Sequence, residues 1–145
     1  MQRCRAHVRH LAFTGNVKNF SSMRILNFLL AIMFVVFAFL QLNDPDPVIW
    51  ILIYGAMAVL SVMAIFEFYP VKFIIGLGVV YIAYSLFYIP GVMEWLQQDD
   101  RSALFDDVAK MEHLYIEESR EFLGLMICVA VLIFYWMRAK KFSRR

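Results

Sequence analysis

The sequence predicts an all-α fold, an integral membrane four-helix bundle with an outer amphipathic helix between spans 3 and 4. Three observations lead there. Of 145 residues, 62% are hydrophobic and 17% aromatic, with a mean hydropathy of +0.65, more apolar than a water-facing domain of this size can conceal. Four apolar runs approach the roughly 20 helical residues that cross about 30 Å of hydrocarbon. Basic residues collect at some ends of these runs and acidic residues at others, as membrane topology requires.

The runs are Ile25 to Leu42, Val48 to Phe66, Phe73 to Ile89 and Phe122 to Met137, broken only by Asn27, Gln41 and a few hydroxyls. Before them, residues 1–22 form a basic leader without acidic residues and without an apolar stretch long enough for a secretory signal. Met23 opens "MRILNFLL" with its own flanking Arg24 and makes a natural start, so the leader is expected to be an over-extended start or a disordered tail. Residues 23–137 are then the four-helix transmembrane domain and 138–145 a basic cytoplasmic tail.

Orientation follows from Lys and Arg. Arg3, Arg5, Arg9, Lys18 and Arg24 precede the first span, Lys72 follows the second, and Arg138, Lys140, Lys141, Arg144 and Arg145 follow the fourth. These segments are expected inside, with both termini cytoplasmic, in a bacterial inner (plasma) membrane. The Asp44–Pro47 turn and the segment from Gly91 to Glu121, whose charged residues are mostly Asp and Glu, are expected outside. Trp50 and Trp95 would then mark the outer belt, Tyr69 and Trp136 the inner one.

The turn "LNDPDP" follows the first span. Asp44 and Asp46 each precede a proline, which drives the chain out of helical geometry. Asp46 is placed to N-cap the second helix, with Pro47 at its first position, where a missing N–H costs nothing. Asn43 and Asp44 are less fully used by a turn. A second carboxylate at a membrane boundary is costly to desolvate, which favours pairing with a cation or a proton.

In the third span Tyr81, Tyr84 and Tyr88 recur beside Ser85, and their hydroxyls should face protein rather than lipid. Gly76 and Gly78 are expected to permit close helix contact. In the outer segment Leu104, Phe105, Val108, Met111 and Tyr115 recur at helical spacing opposite Asp106, Asp107, Lys110 and His113, the pattern of the amphipathic helix.

The fourth run has sixteen residues, about 24 Å of helix, short of the bilayer core. The helix should therefore begin earlier and take in "HLYIEESREF", His113 to Phe122. His113, Glu117 and Glu121 then fall at four-residue steps, and Gly124 and Cys128 continue the stripe inward. Topology would bring both acidic clusters to one membrane face. The candidate site is Asn43, Asp44, Asp46, Glu117, Arg120 and Glu121. Its metal-ligating form is Asp44, Glu117, Glu121 and His113, oxygen-rich and suited to a divalent cation. The plainer reading is a solvated helix entry, Glu117 and Glu121 pairing with Arg120 or complementing the helix dipole.

The expected surroundings are the lipid bilayer and, through apolar helix faces, a membrane-protein partner. A net charge of +2 does not point to nucleic acid. Cys4 and Cys128, one in the leader and one within an apolar run, lack zinc-type spacing and are not expected to pair. Nucleophile motifs, a phosphate-cradling glycine loop and a haem-type histidine pair within the spans are missing, so no catalytic residue or cofactor is assigned. Two functions remain in play: an outward acidic site that binds a cation or handles protons, and a non-enzymatic scaffold or accessory subunit of a membrane complex.

Two motifs, "LNDPDPVIWILIY" and "EESREFLGL", with four spans in this order, resemble the transmembrane protein 220 family of small integral membrane proteins. The resemblance covers Met23 to Met137. It rests on Asn43, Asp44, Pro45, Asp46 and Trp50 near the start, and on Glu117, Glu118, Arg120, Glu121 and Gly124 near the end. It implies the fold and a membrane location and brings no activity, cofactor or catalytic residue.

Overall fold

The computed structural model describes residues 22–43, 46–97 and 114–143. Residues 1–21 of the leader, Asp44, His113 and nearly all of the expected outer amphipathic helix lie outside the described residues. The described chain is helical, with no strand among the described residues. Helix α1 spans Ser22–Leu40, followed by a 3₁₀ turn, Gln41–Asn43. Helix α2 is Pro47–Ile65 and α3 Val71–Ser85. A second 3₁₀ turn, Leu86–Tyr88, leads into α4, Ile89–Gln97, and α5 is Leu114–Ser143.

Among the described residues, four helical stretches are long and apolar enough to cross a membrane, with α3, the 3₁₀ turn and α4 together forming the third, Val71–Gln97. The chain is a multi-pass membrane protein. It divides into two compact units, Met1–Phe68 and Tyr69–Arg145.

In the first unit α1 and α2 form an antiparallel pair. Asn27, near the start of α1, donates from Nδ2 to the carbonyl of Ala64 near the end of α2, at 2.9 Å. Further along, Phe34 and Phe37 pack on Tyr54 with ring centroids 6.5 and 5.5 Å apart, and Trp50 stacks on Tyr54 at 5.9 Å. Offset and edge-on ring pairs of this kind add about 0.5–1.5 kcal/mol each beyond area burial. Trp50, expected at the outer belt, is only 1% exposed and is a core residue stacked on Tyr54.

Asp46 does occupy the N-cap of α2 with Pro47 at the first helical position, but its carboxylate makes no capping hydrogen bond. Its ψ of 58° departs from the extended value that aims an N-cap side chain at the first-turn N–H groups, and the residue is exposed to solvent. The other end of α2 is closed by backbone. Phe68 N–H donates to Met63 O and Glu67 N–H to Ala64 O, both at 3.1 Å, the paired bonds of a Schellman closure. The closure needs a left-handed residue, and Glu67 supplies it at φ 59°, a conformation usually left to glycine. Ala64 O thus accepts twice, from Glu67 and from Asn27.

In the second unit α3 and α4 pack against α5. Tyr69 meets Tyr135 at 6.0 Å, while Gly91 of α4 meets Glu118 of α5, so the pairing is again antiparallel. The buried seam of α5 is Leu125, Cys128, Leu132, Tyr135 and Ala139, none more than 6% exposed. Its three-and-four alternation is the pattern of helices crossing at a shallow angle.

Where sequence placed the end of the third span at Ile89, the chain stays helical to Gln97. Pro90 cannot donate to the carbonyl four residues back, and the chain tightens into a 3₁₀ turn just before it rather than stopping. Ile89 N–H bonds to Leu86 O, and Ser85 Oγ donates to Ile82 O at 2.7 Å. Gly76 and Gly78 do not serve as close-contact points, since a Cβ on either would meet nothing within 4 Å. The tyrosines fare better: Tyr81 is 3% exposed, and half-buried Tyr88 donates to the Tyr84 hydroxyl at 2.8 Å.

At 30 residues, α5 is about 45 Å long. It begins at Leu114, within the expected "HLYIEESREF" extension, and it also runs through most of the expected basic tail, to Ser143.

Candidate functional site

The polar end of α5 is where the second unit departs from ordinary apolar packing. Stepping back from Leu125 along the buried seam by fours and threes gives Glu121 and then Glu118. The register that buries leucine and cysteine deeper down therefore turns acidic as the helix leaves the apolar zone.

Glu118 can sit there because α4 offers a bare backbone. Gly91 is buried. A Cβ on it would lie 2.5 Å from Glu118 Cβ and 3.1 Å from Cδ, and it would also collide with Oε2. The carboxyl arm is laid across the glycine Cα, a place open only to a residue with no side chain. Glu118 is half-buried, as are Glu117, Arg120 and Glu121.

Ser119, between them, is 1% exposed. Its hydroxyl donates to Tyr115 O at 2.7 Å, so it is satisfied within its own helix. Arg120 Nη1 is shielded from solvent, and both Arg120 and Glu121 have interaction partners in the structure. The 3₁₀ turn that carries Tyr88 packs on α5 as well. Three glutamates and one arginine within five positions, Glu117 to Glu121, leave a formal charge of −2 on this half-buried stretch (one positive against three negative).

Of the residues singled out from sequence, Glu117, Arg120 and Glu121 stand together on the first two turns of α5. Gly124 and Cys128 lie on the buried side below them, as the stripe predicts. Asp46 belongs to the first unit and is exposed. The side chains of Asn43 and Asp44 and all of His113 lie outside the described residues. Among the described residues, no three His, Cys, Asp or Glu side chains form a group able to hold a metal ion.

Glu118 and Gly91 were missing from the sequence-derived site. Glu118 entered only as part of the resemblance motif, although its place on the three-and-four seam was a usable signal. Gly91 had none, because nothing in sequence distinguishes a glycine under a neighbouring carboxylate from Gly76 or Gly78.

Comparison with curated proteins and with solved structures gives no match. A family model described as "Transmembrane family 220, helix" matches residues 33–137. That segment starts later than the Met23 expected from the motifs, yet it contains both motifs, Gly91 and the whole acidic turn of α5. With most of its length matched, and with four membrane-crossing helical stretches in the order the motifs require, the chain belongs to transmembrane family 220.

Proposed function

We propose that this membrane protein uses the acidic end of α5 to take up a proton or a small cation at the non-cytosolic rim. The observation that carries the reading is Glu118 lying half-buried on the bare backbone of Gly91. A small cation beside a half-buried carboxylate flanked by two further glutamates would offset their like charge. One guanidinium, that of Arg120, stands against three glutamates in this stretch. The distribution of Lys and Arg supports an orientation with both termini cytoplasmic and this end outside.

The test is the thermal stability of the purified protein across pH and with added calcium or magnesium, for the wild type and Glu118→Gln. The wild type is expected to respond to acidification or to the ion, and Glu118→Gln to lose most of that response while still folding. Equal responses in both proteins would reject the reading and leave a scaffold whose acidic side chains only shape a helix end. Asp44→Asn and His113→Ala in the same series test the wider donor set expected from sequence.

A further inference from the structure

The third span is continuous in length and divided in construction. α3, at 15 residues, and the 3-residue turn after it reach about 28 Å, close to the roughly 30 Å of hydrocarbon. α4, a further 9 residues, therefore stands at the headgroup boundary and beyond it. Where the two parts meet, the backbone ladder is thin. Ile89 N–H bonds three residues back, to Leu86 O, and Pro90 has no N–H to give. A 3₁₀ interruption beside a proline is a place where helices bend.

The side-chain bonds beside this break fall on the α3 side. Tyr88 donates to the Tyr84 hydroxyl at 2.8 Å, their rings meet edge-on at 5.3 Å, and Ser85 Oγ donates to Ile82 O at 2.7 Å. The turn is thus braced to α3, which leaves Ile89–Pro90 as the joint. Beyond the joint the packing is sparer. α3 buries Ile74, Tyr81 and Ser85, whereas Gly91 is the only fully buried residue among the nine of α4, all of them described. Val92 and Trp95 are half-buried, and Gly91 brings no side chain to the contact. Segments with few buried apolar contacts open before the rest of a fold.

We infer that α4 is a hinged lid on the acidic end of α5, pivoting at Ile89–Pro90. Gly91, the first residue past the joint, is the bearing: with no side chain, it lies against Glu118 where any Cβ would be 2.5 Å from Glu118 Cβ. From that contact α4 runs antiparallel along the first turn of α5. Docked, the lid leaves the Glu118 carboxylate half-buried. Swung outward, it uncovers that carboxylate to water. The braced turn below confines the movement to α4, so α3 keeps its packing on α5 while the lid opens. The role of the lid, though not the hinge itself, rests on the uptake proposed at Glu118.

The hinge is tested on the full-length protein in mild detergent, without added ion, by distances between nitroxide labels. Cys4→Ser removes one native thiol, and Cys128 is buried. Met93→Cys with Leu123→Cys, both at exposed positions, spans α4 and α5. Ile75→Cys with Ile133→Cys, also exposed, spans α3 and α5 as the control. The first pair is expected to give two populations and the control pair one. Pro90→Ala returns an N–H to the helix at an exposed position and should collapse the two populations to one. Gly91→Ala drives a methyl into Glu118 and should shift the balance toward the longer distance, which keeps the test open if Pro90→Ala fails to fold. A single narrow distance for the first pair in the otherwise wild-type protein, a Pro90→Ala distribution as broad as that of the parent, or a balance unmoved by Gly91→Ala would overturn the lid. Loss of the uptake reading shows instead as equal ion responses of the wild type and Glu118→Gln, so either can fail alone.

Discussion

The two helical pairs solve the same problem, bringing two apolar helices together, by different means. In the α1–α2 pair the polar group at the contact is neutral and spent on backbone: Asn27 donates to Ala64 O. Aromatic rings around Tyr54 fill the rest. In the second unit a charged side chain, Glu118, is admitted to the contact by removing a side chain opposite, at Gly91. The first arrangement spends its amide N–H in holding the fold. The second leaves a carboxyl group half-buried at the contact, with no structural task that requires its charge.

The comparison breaks first at Asn27, where the largest effect is expected. The residue is 2% exposed, and its Oδ1 has no hydrogen-bond partner among the described residues. Asn27→Asp would set a carboxylate against the Ala64 carbonyl and should cost about 3 kcal/mol or more, as buried uncompensated charges do. Asn27→Leu, by contrast, should be nearly neutral, since Ala64 O keeps the Glu67 N–H and the orphaned acceptor disappears. Reversible unfolding in detergent measures both, and a costly leucine variant would show that the amide does more than tie two helices.

Next in size is Gly91→Ala. The added methyl meets Glu118 Cβ, which cannot swing away as a chain end could, so a loss of about 1–3 kcal/mol is expected from overpacking. Glu118→Gly should recover part of it in a double-mutant cycle. Gly76→Ala, the same substitution in open space, should raise stability by up to about 1 kcal/mol through helix propensity. Like signs for the two alanines would mean that Gly91 is not the contact glycine.

The smallest effect is expected at the end of α2. Glu67→Gly relieves the left-handed residue and should gain a few tenths to about 1 kcal/mol. Part of that gain is offset by the freer unfolded chain. A destabilised Glu67→Gly variant would indicate that the side chain, rather than the turn, is what the position retains.

The spans were legible because hydrocarbon imposes one requirement, a long run of apolar side chains, which survives any detail of packing. Span 3 shows the limit. Pro90 and Glu94 look like an ending, yet a proline lacking one donor needs only a local tightening when flanking turns supply other bonds, and α4 continues. Glu117, Arg120 and Glu121 were readable as a cluster because neighbours on a helix stay neighbours in space. The Gly91–Glu118 contact was not, since it depends on the rotation and axial register of α4 against α5, and either glycine of α3 looked equally suitable. Asp46 shows the converse: the residue type suited an N-cap, and a backbone angle that sequence does not reveal denied the bond.

The spacing of charges along α5 has a further consequence. Glu121 and Arg138 bracket sixteen uncharged residues, so this rod is wettable at both ends and greasy over only about 24 Å, less than the roughly 30 Å of an average bilayer. A helix cannot stretch to make up the difference, and tilting would shorten its reach further. Lipid beside α5 must dimple, or the flanking charges must snorkel. Around α5, both responses cost least in a bilayer with shorter acyl chains.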